Sequence, residues 1–160
     1  MATAQSIKCM ILTLRSENVI VPAAAIAEII SARDAMDIAN MPDWYMGKML
    51  WRGVNVPLVS FEAAGGEEVK RINLNTQVAM LYSITKETDY PYLGVIISGV
   101  PHETLFSEEQ IKVDEHAMES EINPMAAVKT RINGAAVSIL DLEAIESMVS
   151  QAEGTKKLRP

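Results

Sequence analysis

The sequence predicts a mainly β protein with two similar β-barrel halves, each closed by a hairpin and a helix. Short apolar runs separated by turn residues recur along the 160-residue chain, and this spacing is typical of β-strands. A weak internal repeat also relates residues 58–64 to residues 139–145. Each copy predicts a strand end, a capping residue and a helix start.

The first half is predicted to begin with a hairpin and a short helix. The apolar run 7–14 and the segment 19–21 flank a polar turn, which predicts two paired strands. Pro22 suits the first turn of a helix because its missing N–H would have no partner there. Isoleucines at helical spacing extend the predicted helix over residues 23–30.

A second predicted hairpin has strands over residues 48–51 and 56–59. Pro57 has no N–H to donate to a ladder, so it indicates an edge strand or the start of a strand. The polar, glycine-containing stretch 65–75 predicts the boundary between the two halves.

The second half is predicted to contain two further hairpins. One pairs residues 76–84 with 90–97, and the other pairs 128–132 with 136–140. The Asn-Gly pair at 133–134 is the strongest hairpin signal in the chain, because a type I′ turn needs positive φ at both central residues.

A C-terminal helix completes the predicted fold. Asp141 can cap it, and apolar residues between 142 and 152 form a stripe on one helix face. Gly154 is predicted to end the helix, which leaves residues 155–160 as a flexible tail beyond a single domain over residues 1–154.

Composition excludes several classes of protein. A single cysteine rules out an intrachain disulfide framework and a cysteine-based zinc site. No apolar run approaches the roughly 18 residues of a membrane-spanning helix, and no secretory signal is visible, so a cytoplasmic location is expected. A net charge of −7 argues against wrapping nucleic acid or lying on anionic lipid.

Acidic residues are concentrated over residues 102–121, where seven carboxylates accompany a single base, Lys112. Such a stretch is typical of a solvated loop region. The alternative is an acidic face that steers a basic partner.

The sequence contains no recognisable catalytic or metal-binding motif. His102 and His116 lie fourteen residues apart without a third ligand at a recognisable spacing, and Cys9 falls within a predicted core strand. No G-x-G, G-x-S-x-G or H-E-x-x-H pattern occurs. We therefore expect no enzymatic activity, no cofactor and no metal.

A group of methionines near the large aromatic residues has two interpretations. It is either core filling or a binding surface that can repack against varied partners. The four methionines lie near Trp44, Tyr45 and Trp51, at positions Met36, Met41, Met46 and Met49.

Arg52 stands at the end of an apolar strand and before Gly53, which permits a tight or left-handed backbone. A rigid β-corner that presents one guanidinium is suited to recognition, since arginine is enriched at interface hot spots. The alternative is a local salt bridge to Glu28, Asp34 or Asp37.

These residues also carry a resemblance to a known family. Residues 26–30 (IAEII) resemble the V-x-E-I segment of the CheW family, and residues 42–57 resemble its P-x4-G-x4-RG-x3-P block. The segments 93–97 and 139–142 resemble a strand of the second half and the closing strand with its helix start. The whole resemblance runs from about residue 8 to residue 149. Proteins of this family are adaptors that couple chemoreceptors to the histidine kinase CheA.

The resemblance implies two SH3-like five-stranded β-barrel subdomains packed together, with short helices and a C-terminal helix. It implies a cytoplasmic adaptor of a two-component system, beside membrane-bound receptor arrays, without catalysis, cofactor or membrane insertion. One surface would bind the cytoplasmic tip of a chemoreceptor and another a CheA-type histidine kinase. The family's partner-surface positions match Ile26, Glu28 and Arg52, and we add the adjoining Gly53 as a candidate.

The chain departs from the family pattern in charge and in bulk. Ser60 and Ser98 stand where the family often has aspartate, so a helix cap is kept at Ser60 but charge is lost at both positions. The bulky Trp44, Tyr45 and Trp51 indicate a specialised adaptor, in a pilus (twitching) pathway as an alternative to flagellar taxis.

A different class of function is single-stranded nucleic-acid binding by a small β-barrel, which needs a basic groove with stacking aromatic residues. The net charge and an aromatic content of 5% count against it. A small hydrolase is a third class, and no motif favours it.

Overall fold

The computed structural model describes residues 6–85, 90–107, 112–113, 122–132 and 135–157, and the fold is given for these. They form a mainly β protein, as predicted, with a one-turn helix and a longer C-terminal helix. The strands are β1 (Ser6–Thr13), β2 (Asn18–Pro22), β3 (Ile26–Ser31), β4 (Tyr45–Trp51), β5 (Val54–Val59), β6 (Gln77–Tyr82), β7 (Tyr92–Ile97), β8 (His102–Ser107), β9 (Lys112–Val113), β10 (Ala126–Ile132) and β11 (Ala135–Leu140). The helices are α1 (Phe61–Ala64) and α2 (Leu142–Lys157).

The strands form two sheets, here called the first and the second sheet. The first has the order β8-β1-β2-β11-β10-β9, and the second has the order β3-β6-β7-β5-β4. The two-residue β9 pairs with β10, so the first sheet consists of five longer strands and this short addition. Two five-stranded units are therefore present, as predicted.

All four predicted hairpins are antiparallel strand pairs: β1–β2, β4–β5, β6–β7 and β10–β11. The last pair extends to Ile132 and Ala135. The Asn-Gly turn at 133–134 lies outside the described residues, as do residues 86–89 of the third hairpin.

The predicted internal repeat corresponds to a repeat in the structure. The first copy, residues 6–64, begins with the hairpin β1–β2 of the first sheet and continues with β3, the hairpin β4–β5 and α1, whose three strands belong to the second sheet. The second copy, residues 77–157, has the same order with the sheets exchanged: the hairpin β6–β7 of the second sheet, then β8, the hairpin β10–β11 and α2, whose three strands belong to the first sheet. In the second sheet β3, β6, β7, β5 and β4 occupy the places that β8, β1, β2, β11 and β10 occupy in the first. In both sheets the strand before the helix makes a parallel pair, β5 with β7 and β11 with β2.

The two sheets do not divide the chain at residues 65–75. The first sheet takes β1 and β2 from before this stretch and β8 to β11 from after it. The second sheet takes β3 to β5 from before it and β6 and β7 from after it. Each sheet is therefore built from both halves of the chain, while the extent of the single domain, residues 1–154, stays a prediction.

The main hydrophobic core joins both sheets to α2. It includes Leu12 from the first sheet, Val95 from the second and Ile145 from α2, all of them fully buried. Smaller clusters belong to one sheet each, around Met80 in the second and around Cys9 in the first. Cys9 is buried, as predicted, and this burial raises the pKa of its thiol.

Both predicted capping residues begin their helices. The Ser60 Oγ accepts a hydrogen bond from the Ala63 N–H at 3.1 Å, and the Asp141 Oδ1 accepts one from the Ala144 N–H at 3.0 Å. Each cap satisfies a helix N–H that has no partner within the helix. The repeat therefore includes the N-terminal cap of each helix, a side-chain oxygen that accepts a hydrogen bond from the N–H three residues later.

Ser60→Ala and Asp141→Ala are each expected to lower the free energy of unfolding by about 1 kcal/mol, because a helix N–H would lose its acceptor. Urea unfolding of the two single variants measures the losses. Asp141→Asn keeps a side-chain acceptor at the cap and should retain most of the stability. Alanine variants as stable as the unmodified protein would contradict the cap roles.

The prediction of a helix over residues 23–30 is wrong. A 3₁₀ turn covers Ala23–Ala25, and β3 follows, paired antiparallel with β6. A β-bulge between Ile26 and Glu28 interrupts the alternation of β3, so its isoleucines imitate helical spacing. Pairing with β6 and packing against the cores outweigh the local pattern.

The expectation that Pro57 marks an edge or the start of a strand is also wrong, because it lies inside β5 between β4 and β7. Opposite Pro57, Lys48 directs its backbone N–H and C=O outward to Met36, with N···O distances of 2.9 and 2.7 Å. The ladder with β4 therefore needs no donor from Pro57. On the other side, the pairing of β5 with β7 begins one residue later, at Leu58.

Part of the acidic stretch is strand and not loop. His102–Ser107 forms β8 at one edge of the first sheet, and Lys112–Val113 forms β9 at the other. Residues 108–111 and 114–121 lie outside the described residues. The steering of a basic partner by this stretch stays a prediction.

The prediction that Gly154 ends the C-terminal helix is wrong, because α2 continues to Lys157. A glycine inside a helix costs about 1 kcal/mol and does not by itself end it. Two carboxylates, one buried and one partly buried, hold α2 in place. Glu146, 1% exposed, accepts hydrogen bonds from the backbone N–H groups of Ile84 and Thr85, both at 3.1 Å. The second is Glu153, described below.

Gly154→Ala is expected to raise the free energy of unfolding by about 0.5–1 kcal/mol, since an added Cβ meets no atom within 4 Å. Differential scanning calorimetry would show a higher Tm. Gly94→Ala is the matched control, because its Cβ would lie 2.5 Å from Leu58 Cδ2 and should lower the Tm. An unchanged Tm for Gly154→Ala would mean that α2 is not formed at this residue.

Candidate functional site

The hairpin between β4 and β5 turns on two residues, Arg52 and Gly53. Trp51 and Val54 pair across the turn, and φ is +50° at Arg52 and +77° at Gly53. Positive φ at both central residues is the signature of a type I′ turn, which matches the twist of the flanking strands. Gly53 adopts this backbone freely, whereas Arg52 is a non-glycine residue in a strained left-handed conformation. The local fold thus presents Arg52 at the tip of a rigid hairpin.

The Arg52 side chain lies on aromatic rings of the second sheet. Its guanidinium carbon is 4.2 Å from the centroid of the Trp51 ring and 5.9 Å from that of Tyr92. Trp51 and Tyr92 meet edge to face with centroids 4.8 Å apart, and Tyr82 lies 5.8 Å from Tyr92. We call Trp51, Tyr82 and Tyr92 the aromatic platform. Hydrogen bonding to the Tyr92 side chain raises the pKa of Arg52, so this cation stays charged.

One carboxylate approaches the guanidinium. Glu28 on β3 has its Oε2 3.7 Å from Arg52 Nη2, and the two side chains are 49% and 47% exposed. A pair at this distance and exposure contributes little to folding. Of the three acids that the sequence offers as partners, Glu28 forms the pair, yet Arg52 remains open to solvent. We call Arg52, Glu28 and the aromatic platform the Arg52 face.

The structure brings three of the four candidate residues together. Arg52, Gly53 and Glu28 belong to one exposed face at the end of the second sheet. Ile26 is half-buried and packs against the main core, on the far side of the β-bulge from Glu28. Its contacts within the described residues are those of a core side chain.

Sequence reasoning missed Tyr82 and Tyr92. They are directly paired across the β6–β7 hairpin, and Tyr82 is 44% exposed. An aromatic residue at the end of one strand and another at the start of the next is a signal for such a cross-strand pair. The contact of Tyr92 with Trp51 depends on the parallel pairing of β5 with β7, which no local signal indicates.

A second polar group connects β4 to the end of α2. Glu153 accepts a hydrogen bond from the Tyr45 hydroxyl at 2.5 Å, and its Oε1 lies 3.2 Å from Lys48 Nζ. Lys48 also donates to the Tyr90 hydroxyl at 2.6 Å. Burial, together with the bond to Glu153, raises the pKa of Tyr45 far above its ordinary value. These contacts attach the end of α2 to β4 through Glu153, and the Tyr45 side chain remains a neutral phenol.

The methionine cluster is divided by the fold. Met49 is buried in the second sheet and Met36 is 56% exposed. Met41 and Met46 line a cavity of about 790 Å³ beside the segment 69–74. Core filling therefore accounts for Met49 and in part for Met41 and Met46, which are partly buried and pack against the main core and the second-sheet cluster respectively.

The described residues hold no group of three or more His, Cys, Asp or Glu side chains that could bind a metal ion. His102 lies exposed on β8, and His116 is outside the described part of the chain. No helix of the described residues is both long enough and apolar enough to cross a membrane. No arrangement for general acid–base or nucleophilic chemistry is evident among the side chains of the Arg52 face.

Comparison with known proteins adds an independent finding. The model of the CheW-like domain family matches residues 8–149. Comparison with curated proteins gave no match.

Among solved structures, the fold resembles the scaffolding protein TtCheW from Thermoanaerobacter tengcongensis with a TM-score of 0.69. The match covers 88% of this chain and 87% of the other, at 13% sequence identity. At this identity the likeness shows the fold, which is that of two SH3-like subdomains. Since the family model spans most of the sequence, the chain belongs to the CheW-like domain family.

Proposed function

We propose that the chain is a non-catalytic adaptor that couples a chemoreceptor to a CheA-type histidine kinase. The observation that carries the proposal is the match of the CheW-like family model over residues 8–149. Scaffold proteins of chemotaxis act by binding, and the Arg52 face supplies a surface suited to binding. The cytoplasm beside membrane-bound receptor arrays is the location that this function requires, and the pathway is flagellar or pilus (twitching) signalling.

The Arg52 face supports the assignment of a partner surface on physical grounds. Arg52 is held at a hairpin tip in a strained backbone conformation, with its charge about half exposed over the aromatic platform. Strained backbone conformations of this kind cluster at functional sites, where the surrounding structure holds the residue in place. A partner carboxylate can replace Glu28, whose weak pair with Arg52 is easily exchanged. Arginine over aromatic rings is typical of interface hot spots.

The alternative function, single-stranded nucleic-acid binding, has aromatic rings available on the same face. It also needs a basic groove that follows the phosphates. Glu28 stands within this face, and the chain carries a net charge of −7. The charge therefore favours a protein partner.

Arg52→Asn is expected to weaken assembly with a receptor cytoplasmic fragment and the kinase about thirtyfold, the loss typical of an interface hot spot. The same variant should unfold no earlier than the unmodified protein, because asparagine adopts the left-handed conformation more readily than arginine. Thermal unfolding and co-sedimentation measure the two effects on one sample. Arg52→Glu should weaken assembly further through repulsion.

Lys8→Ala serves as the control, since it removes an exposed cation from the first sheet, where Lys8 pairs with Glu103 at 3.0 Å. It should leave assembly with the receptor fragment nearly unchanged. A folded Arg52→Asn that assembles normally would exclude Arg52 from the interface. An Arg52→Asn that unfolds early would mean that the Glu28 pair is a structural strut.

A further inference from the structure

A cavity of about 240 Å³ lies between the segment 70–76 and the end of β7, beside the turn between β1 and β2 and the start of α1. Its lining includes Ser60 and Ser98, the two positions at which this chain has serine where the CheW family often has aspartate. The fold therefore brings both departures from the family pattern to one place. We call this cavity the Ser98 pocket.

The charged side chains of the Ser98 pocket are mostly basic. Arg15, Lys70 and Arg71 line it, and Glu62 is the one carboxylate among the described residues of its lining. Glu62 accepts a hydrogen bond from Arg15 Nε, so these two charges compensate each other. Lys70 and Arg71 are exposed, and neither belongs to an ion pair within the described part of the chain. The pocket thus has a net charge of +2 in a chain whose net charge is −7.

Neutral donors add to this charge. Thr76 Oγ1 accepts a hydrogen bond from the Asn73 N–H at 2.9 Å, and Asn73 Oδ1 accepts one from the Asn75 N–H at 2.7 Å. Both bonds use oxygens as acceptors, which leaves the Thr76 hydroxyl proton and the Asn73 NH₂ group as donors. The exposed Ser98 hydroxyl is a further donor on the β7 side. The pocket therefore offers N–H and O–H groups together with positive charge.

The adjoining cavity of about 790 Å³ differs in charge. It shares Arg71 with the Ser98 pocket and adds Arg33, but Asp37 and Asp43 balance these two cations. An anion is therefore favoured in the Ser98 pocket and not in the larger cavity.

We propose that the Ser98 pocket binds a small phosphate monoester. Such a group carries about −1.5 to −2 charge at pH 7 and three strong acceptor oxygens, which match the charge and the donors of the pocket. The planar guanidinium of Arg71 can bind two of these oxygens, and Lys70 adds a point charge. Aspartates at both positions 60 and 98 would cancel the net charge, so the two serines make the pocket an anion site.

NMR titration of the unmodified protein with phenyl phosphate at low salt tests the site. The amide signals of Thr76 and Ser98 should shift in a saturable way, and inorganic phosphate should shift the same signals. Sodium chloride at equal ionic strength should give no saturable shift. Succinate, which offers two carboxylates in place of a phosphate, should bind at least about tenfold more weakly. The absence of a saturable shift with phenyl phosphate, or equal binding of succinate, would overturn the proposal.

Ser98→Asp tests the role of the serine. The added carboxylate should weaken the binding of phenyl phosphate at least about tenfold through repulsion. Because Ser98 is exposed, the variant should keep the Tm of the unmodified protein. Ser150→Asp is the matched control, since it adds the same charge at an exposed position of α2 outside the pocket and should leave binding nearly unchanged. Equal weakening by both variants would mean that only the net charge of the chain matters, and the pocket would be excluded.

A double variant, Lys70→Gln with Arg71→Gln, decides the case in which Ser98→Asp does not fold. Both side chains are exposed, so their replacement should leave the Tm nearly unchanged. The saturable shift with phenyl phosphate should be lost, and binding at the original affinity would overturn the proposal. All of these measurements use the protein alone, so their outcome does not depend on assembly with a receptor or a kinase.

Discussion

Replacing Glu62 with alanine is expected to lower the free energy of unfolding by about 2–4 kcal/mol. The Glu62 side chain is 3% exposed and accepts a hydrogen bond from Arg15 Nε. Its removal leaves the Arg15 guanidinium, 23% exposed, without its carboxylate in a partly buried site. Losing one partner of a buried pair costs roughly 3–5 kcal/mol, and the partial exposure of Arg15 reduces this figure. Urea unfolding at neutral pH measures the loss.

The pair has this effect because it joins two distant parts of the chain. Arg15 belongs to the turn between β1 and β2 in the first sheet, and Glu62 belongs to α1, which follows β5 of the second sheet. Glu67→Ala is the matched control, because its bond to Ser16 is exposed and should contribute less than about 0.5 kcal/mol. Replacing Arg15 and Glu62 together by methionine should cost less than Glu62→Ala alone, since no charge is left unpaired. Equal losses for Glu62→Ala and Glu67→Ala would contradict a buried ion pair.

Gly47→Ala is expected to destabilise the protein by about 3 kcal/mol. Gly47 has φ of +127°, and an added Cβ would lie 2.2 Å from the carbonyl oxygen of Met36. A strained backbone of this kind costs roughly 1–3 kcal/mol, and displacing Met36 weakens the two backbone hydrogen bonds that it forms with Lys48. Thermal and urea unfolding of the variant give the loss directly.

Gly66→Ala separates the steric part of this effect from the conformational part. Gly66 also has positive φ, +90°, but an added Cβ there meets no atom within 4 Å. Its loss should be limited to the backbone strain, about 1–2 kcal/mol. A loss at Gly47 no larger than that at Gly66 would contradict the close approach of Met36. The close approach of Met36 gives a physical reason for a glycine at position 47 of this chain.

The sequence predicts the parts of the candidate site that depend on neighbours along the chain. Arg52 and Gly53 form the tight turn of a hairpin. The turn can be predicted locally, because an apolar strand ends directly before Arg52 and the following glycine permits a left-handed backbone. Arg52 lies over the Tyr92 ring, and Tyr92 in turn contacts Tyr82; both tyrosines are 30 or more residues away along the chain, and no local pattern indicates this arrangement. Ile26 stays a predicted partner-surface residue from its place in the V-x-E-I segment, and the tertiary structure adds that its half-buried side chain packs against the main core.

Local chemistry also decides the caps and the hairpins, and tertiary structure decides the rest. Ser60 and Asp141 cap their helices because a side-chain oxygen finds an N–H three residues later, a contact within a single turn. The segment 23–30 has a spacing that fits a helix or a bulged strand, and only pairing with β6 selects the strand. The repeat of two halves can be recognised in the sequence, whereas the building of each sheet with strands from both halves is visible only in the folded chain. The physical reason is that turns and caps are bonds between near neighbours, whereas strand pairing depends on burying apolar faces that the chain brings together from far apart.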